Sequence, residues 1–174
     1  MTGPVLVGSN PGLVWHDAAE EPVAAVSVWD VQWSVRGAGR CVVYWPGGDE
    51  VHLLGTDAEL STFLWEELTR HFPEFRWPGE REVRSHVVDV SVELAPGLVT
   101  ARTRPAPSLT VEIAGLGTEP RLIHVTEFPL GERCRELRNV LFPVDRHRLD
   151  TSLPRLETGA GWRGFIALAE VWAD

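Results

Sequence analysis

The sequence predicts a single, mainly β domain of the α+β class, in which one helix packs against a curved antiparallel sheet. Three observations support this fold class. Short stretches of alternating or continuous apolar residues recur after residue 23. The connections between these stretches are short, and many contain Gly or Pro. One segment, at about residues 57–71, has helical spacing instead.

The first 22 residues contain several Gly and Pro residues and have no regular hydrophobic period. They predict an irregular N-terminal arm (residues 1–22), which is followed by a β-rich body (residues 23–174). No linker, internal repeat or low-complexity tract divides the 174 residues, and this length is normal for one domain. We therefore expect a single domain.

The first strand of the body, residues 23–35, has two different faces. Trp29 and Trp33 lie on one face, and Asp30 and Gln32 lie on the other. If the tryptophans pack under the helix, Asp30 and Gln32 point into the interior. If the tryptophans line a cavity instead, they form a stacking surface for an aromatic or polyene ligand.

Two short apolar strands, residues 41–45 and 51–54, follow across tight turns and complete an antiparallel meander. A T-x-x-E capping box comes next, in which the side chains of Thr56 and Glu59 bind free backbone N–H groups. Four apolar residues then follow at helical spacing. This combination predicts a helix over about residues 57–71.

Strand patterns continue from residue 83 to near the end of the chain and bring the total to about nine strands. These later strands are residues 83–94, 98–104, 109–114, 121–128, 137–144 and 164–172. Twisted antiparallel sheets of this size tend to curl and close, because closure removes exposed edges. We expect a barrel or a strongly curved sheet, which resembles calycin-type barrels in architecture. A two-layer α+β sandwich is the alternative.

All 16 basic side chains are arginines, so the chain contains no lysine. This excludes Schiff-base mechanisms and a P-loop, because both need a lysine amine. The formal net charge of −9 argues against nucleic acid as a partner, since phosphate binding needs clustered cations. The sequence has neither a membrane-length apolar run nor a secretion signal, so we expect no membrane contact and a cytoplasmic location.

Motifs for metal or cofactor binding are also missing from the sequence. Cys41 and Cys134 lack zinc-site spacing, and there is no HExxH, EF-hand, GxSxG or dinucleotide fingerprint. We therefore expect no metal and no cofactor. Any chemistry would depend on polar side chains that lie on apolar strands.

The last strand contains the strongest candidate for a catalytic group. Ile166, Leu168, Glu170 and Trp172 share one face, and the residues of the other face are also apolar. A carboxyl group in such a strand is desolvated, which raises its pKa and suits it to proton transfer near neutral pH. We predict that Glu170 is a general acid or base. The alternatives are that it pairs with an arginine or that the strand ends before it.

Other polar or aromatic side chains on apolar strands are further candidates. Those expected to assist catalysis are His86, Asp30 and Tyr44, which is the only tyrosine. Those expected to bind the ligand are Trp29, Trp33, Trp172, His124 and Glu127. His124 and Glu127 lie on opposite faces of a regular strand, so only one of them is expected to point inward.

These features predict a β-barrel that binds a small hydrophobic metabolite. The best fit is a cofactor-independent cyclase or isomerase that uses buried acid/base side chains. A non-catalytic carrier with the same cavity is one alternative, and a scaffold with a filled core is another. An inward Glu170 without an arginine partner would favour the enzyme, and an arginine bridge would favour the carrier. The sequence is also compatible with a homodimer.

Overall fold

The computed structural model describes residues 3–75, 80–95, 97–115 and 119–174. Within these ranges the chain forms thirteen strands, one α-helix and two short 3-10 helices. The strands are β1 Pro4–Ser9, β2 Gly12–His16, β3 Pro22–Ser34, β4 Gly39–Trp45, β5 Glu50–Gly55, β6 Glu82–Val87, β7 Asp89–Ala95, β8 Leu98–Arg104, β9 Leu109–Ala114, β10 Arg121–Leu130, β11 Arg133–Pro143, β12 Arg146–Thr151 and β13 Gly161–Ala173. The helix α1 is Ala58–Glu67, and the 3-10 helices are Thr69–His71 and Pro73–Phe75.

Nine of the strands form one large, strongly curved sheet. Eight of them follow the order β10-β11-β13-β1-β3-β4-β5-β6, and β2 pairs with β13 and β3. All of these pairs are antiparallel except β5–β6, which is parallel. Since β10 and β6 do not pair in the described part of the chain, the sheet is curved but open. The prediction of a mainly β, α+β fold with one helix on a curved sheet is therefore confirmed.

The expected irregular arm at residues 1–22 is wrong for the residues that the structure describes, which exclude residues 1 and 2. Strands β1 and β2 lie end to end between β3 and β13, in the middle of the large sheet. Asn10 and Pro11 separate the two strands, yet the ladder continues across this break. The Asn10 N–H donates to the Ala167 carbonyl over 2.9 Å, and the Val28 N–H donates to the Pro11 carbonyl over 2.8 Å.

Both faces of the large sheet are covered, so the molecule has two cores. The helix-side core lies between the sheet, α1 and the 3-10 helices, and it includes Trp29, Leu64 and Trp172. The sheet-side core lies between the large sheet and a second sheet of order β12-β9-β8-β7, and it includes Tyr44 and Ile166. The predicted strand at residues 83–94 divides between the two sheets, because β6 ends at Val87 and β7 begins at Asp89.

Helix α1 lies where the sequence predicts it, but its cap differs. Asp57 is the N-cap residue, and its carboxylate accepts the Leu60 N–H over 2.8 Å. Thr56 instead binds β4, where its hydroxyl oxygen accepts the Arg40 N–H over 3.0 Å. Asp57, and not Thr56 as the sequence predicts, therefore caps the first turn of the helix. None of the helices in the described ranges is both long and apolar enough to span a membrane.

Candidate functional site

A β-bulge places Glu170 on a different face of β13 from Ile166 and Leu168. Leu168 pairs with Val140 and Val171 pairs with Arg138, so two residues of β13 lie opposite one residue of β11. Ala169, at the bulge, has a φ of +49°. One extra residue reverses the alternation of faces. Ile166 and Leu168 therefore pack in the sheet-side core, whereas Trp172 packs in the helix-side core.

Glu170 is only 2% exposed and is bound by neutral donors. Trp172 Nε1–H donates to Glu170 Oε1 over 2.6 Å, and Asn139 Nδ2–H donates to Oε2 over 3.3 Å. The side chain of Asn10 is a third partner. Its amide is held in turn by Ser27, whose hydroxyl donates to Asn10 Oδ1 over 2.6 Å. Within the described ranges, no arginine forms an ion pair with Glu170.

Burial raises the pKa of Glu170 from its ordinary value of 4.5 to about 7, although the hydrogen bonds from Trp172, Asn139 and Asn10 act in the opposite direction. At neutral pH the carboxyl group is therefore divided between its protonated and ionised forms. Such a group can donate a proton and accept one under the same conditions.

A pocket of about 210 Å³ lies beside Glu170 on the helix side of the sheet. Its walls come from the first strands, the second 3-10 helix, β10, β11 and β13. They consist of Asn10, Phe72, Pro73, Glu74, Phe128, Leu137, Asn139, Phe165, Glu170 and Trp172. The Phe72 and Trp172 rings stack with centroids 5.8 Å apart, and Phe128 stands edge-on to Trp172 at 5.2 Å. These aromatic contacts fix one side of the pocket.

A second carboxyl group, that of Glu74, also lines this pocket. Burial raises its pKa, and the charge of Arg163 acts in the opposite direction. Sequence reasoning missed Glu74 because it lies in a Pro-rich connection without a periodic pattern. It also missed Asn10 and Asn139, since an asparagine in a strand or loop has no distinctive spacing.

Tyr44 and His86 do not line the Glu170 pocket. Tyr44 belongs to the sheet-side core, where its hydroxyl donates to the Pro154 carbonyl over 2.8 Å. Tyr44 on β4 pairs with His52 on β5. His52 Nδ1 lies 3.3 Å from Nε2 of His86. Burial lowers the pKa of both histidines, which favours their neutral forms, in which the N–H of one ring donates to the free nitrogen of the other. No group of three or more potential metal ligands occurs among the described residues.

Asp30, Trp29 and Trp33 lie outside the pocket as well. Asp30 accepts a hydrogen bond from Arg40 Nε over 2.9 Å, so it does not point into an empty interior. Trp29 is fully buried, and its Nε1–H donates to the Thr69 hydroxyl over 2.9 Å. Trp33 is 48% exposed. The two tryptophans were predicted to share a face. In the structure, Val7 of β1 pairs with Trp33 and Gly8 pairs with Val31, so β3 has one extra residue at this point. This bulge places the two tryptophans in different surroundings.

His124 and Glu127 are both exposed, so the expectation that one of them points inward is wrong. His124 Nε2 lies 2.7 Å from Oε1 of Glu136 on the neighbouring strand. The β10–β11 register shifts between Val125 and Phe128, and the extra residue of this bulge leaves Glu127 in solvent. Of the five predicted ligand-binding residues, Trp172 is the one that lines the pocket.

Comparisons with known proteins give only low-scoring similarities to solved structures. No model of a known protein family matches the sequence, and no curated protein matches it. The chain is similar to a solved structure of acetoacetate decarboxylase, with 8% identity, a TM-score of 0.45, and coverage of 99% of this chain and 88% of that chain. It is also similar to acetoacetate decarboxylase from Legionella pneumophila subsp. pneumophila str. Philadelphia 1. Here the identity is 8% and the TM-score is 0.41, with coverage of 98% of this chain and 84% of that chain. At this identity the similarities do not bear on the residues of the pocket.

Proposed function

We propose that this protein is a cofactor-independent enzyme that moves protons within a small hydrophobic substrate, as an isomerase or a cyclase does. The observation that supports this most directly is the state of Glu170. It is a buried carboxyl group at the wall of an aromatic pocket, with neutral donors as its partners. Burial also brings its pKa to about 7, where a general acid or base is most effective.

The surrounding side chains suit both protonation states of Glu170. Trp172 Nε1–H and Asn139 Nδ2–H orient the ionised form for proton abstraction. Asn139 Oδ1 is buried without a hydrogen-bond partner in the described part of the chain. A half-turn of the Asn139 amide would present this oxygen to the neutral carboxylic acid. Glu170 could then take a proton from one carbon of the substrate and return it to another.

The volume of the pocket also limits the size of the substrate. This volume of about 210 Å³ lies below the roughly 300–1,000 Å³ of pockets for drug-sized ligands. A single small ring or a short branched chain would fill it. A carrier of such a molecule would not need a desolvated carboxyl group, and its expected arginine bridge to Glu170 does not occur among the described residues. This favours the enzyme over the carrier.

Proton transfer can be tested with cyclohex-3-en-1-one, whose conversion to cyclohex-2-en-1-one requires removal of a proton from C2 and its return to C4. We expect the wild-type protein to accelerate this conversion, and Glu170→Gln to lower the rate roughly 100-fold, which is typical for the loss of a general base. The exposed Glu119→Gln is the matched control, because it removes one negative charge from the surface. Equal rates for wild type and Glu170→Gln, in this assay and in deuterium exchange of other small ketones, would refute the proposal.

A further inference from the structure

The polar lining of the Glu170 pocket is acidic or neutral. Glu74 and Glu170 supply two carboxyl groups, and Asn10 and Asn139 supply two amides. Among the described residues that line the pocket, none is an arginine or a histidine. Two carboxyl groups in a small, partly desolvated space repel an anionic ligand, because charge interactions are stronger there than in water.

Within the described ranges, Glu170 has no cationic ion-pair partner. Several more exposed acids of the described chain have such a partner, for example Asp30 with Arg40, Glu50 with Arg84, and Asp174 with Arg135. An ionised carboxyl group without a cationic partner is costly to bury. A positive charge supplied by the ligand would offset this cost, since no described residue forms an ion pair with Glu170.

The rest of the wall suits an organic cation. The described lining includes four aromatic side chains, namely Phe72, Phe128, Phe165 and Trp172. Aromatic rings attract ammonium groups through their quadrupoles, most strongly in a desolvated setting, and Trp is the most effective of them. The same rings provide apolar surface for the alkyl part of such a molecule.

We propose that the pocket binds a small alkylammonium compound, with aromatic rings around its cationic group and Glu170 as its counter-ion. This inference rests on the proposed function and narrows it, since the hydrophobic part of the substrate would be the alkyl part of an ammonium compound. Glu170 has two connected tasks in this arrangement. Binding of the cation favours the ionised carboxylate, and the ionised carboxylate is the form that can abstract a proton.

The first test compares three probes of nearly equal shape on the wild-type protein by titration calorimetry and NMR. They are choline, its neutral carbon analogue 3,3-dimethylbutan-1-ol, and the anion 3,3-dimethylbutanoate. We expect choline to bind at least about tenfold more tightly than the neutral probe at pH 8, and the anion to bind most weakly. Equal or tighter binding of either other probe would overturn the inference.

The second test uses pH and variants. Because cation binding requires ionised Glu170, whose pKa is raised to about 7, choline affinity should rise between pH 6 and pH 8, while that of the neutral probe should not. Glu170→Gln should weaken choline binding about tenfold and reduce this pH dependence to the part that Glu74 contributes, whereas Glu119→Gln should change neither. If Glu170→Gln does not fold, Glu74→Gln serves instead and should weaken choline binding by less than tenfold. Unchanged choline binding in a folded variant of either pocket carboxylate would contradict the assignment.

The two proposals can fail separately. Conversion of cyclohex-3-en-1-one together with a preference for 3,3-dimethylbutan-1-ol would refute the cationic ligand and leave proton transfer supported. Selective binding of choline together with equal conversion by wild type and Glu170→Gln would refute proton transfer and leave the cationic ligand supported.

Discussion

At the scale of single residues, Glu170 is subject to two opposed influences. Trp172, Asn139 and Asn10 donate hydrogen bonds that stabilise its ionised form, whereas burial stabilises its neutral form. Desolvation is the larger of the two, so the pKa rises. The hydrogen bonds still matter, because they hold the pKa below the value that burial alone would give. Glu170 therefore remains available for proton transfer at neutral pH.

The raised pKa predicts a specific pH dependence of stability. Between pH 4.5 and about pH 7 the folded protein keeps the Glu170 proton that the unfolded chain has released, so this residue makes the free energy of unfolding fall as pH rises. Over the whole of this pH range, the fall in the free energy of unfolding is about 3 kcal/mol. Relative to wild type, Glu170→Gln should therefore gain stability from pH 4 to pH 8 by up to about 3 kcal/mol, as measured by urea denaturation.

Glu119→Gln again serves as the control, because Glu119 is exposed and its replacement should not alter the slope with pH. A constant stability difference between Glu170→Gln and wild type from pH 4 to pH 8 would mean that the Glu170 pKa is not raised in the folded protein.

At the scale of elements, β-bulges decide which side chains reach the pocket. The bulge in β13 turns Glu170 toward the helix side, and the one in β10 keeps Phe128 against the core while Glu127 remains exposed. The register shift in β3 separates Trp33 from Trp29. The strict alternation of side chains between the two faces of a strand therefore holds only up to the nearest bulge. Ala169 shows why the bulges were not predictable, since an alanine occupies a backbone conformation in which glycine is usual.

The bulge itself can be tested at Ala169, whose φ of +49° is unfavourable for a residue with a Cβ atom. We expect Ala169→Gly to raise the free energy of unfolding by about 1 kcal/mol, and Ala169→Val to lower it, since branching worsens the clash. Ala167→Gly is the matched control on the same strand, where φ is not positive and glycine should destabilise. Stabilisation at both positions, or at neither, would contradict a strained bulge at Ala169.

At the scale of the whole molecule, the sequence predicts features that depend on strong local patterns. It predicts the mainly β class, the position of α1, and the buried Glu170. It does not predict β1 and β2, because these strands are short and contain Gly and Pro at their ends. Nor does it predict the pocket, whose lining residues come from distant parts of the chain, such as Asn10, Glu74 and Asn139. Contacts of this kind depend on strand order, which local periodicity does not reveal.

The central position of β1 leads to a prediction about folding. Leu6 is fully buried in the helix-side core, and β1 separates β3 from β13, the strand that contains Glu170. Leu6→Ala should lower the free energy of unfolding by about 2–5 kcal/mol, as expected for a large-to-small change in a packed core. Val35→Ala, at a site that is 57% exposed, should change it by less than about 0.5 kcal/mol.

Chemical denaturation of both variants measures this difference, and fluorescence of the buried tryptophans can follow the unfolding. Since Gly8 of β1 pairs with Glu170, loosening β1 should also weaken ligand binding in the pocket. A loss below about 0.5 kcal/mol for Leu6→Ala would indicate that the first strands are peripheral, as the irregular composition of the segment suggests. A large loss would mean that β1 helps to hold the strand on which the proposed acid/base group lies.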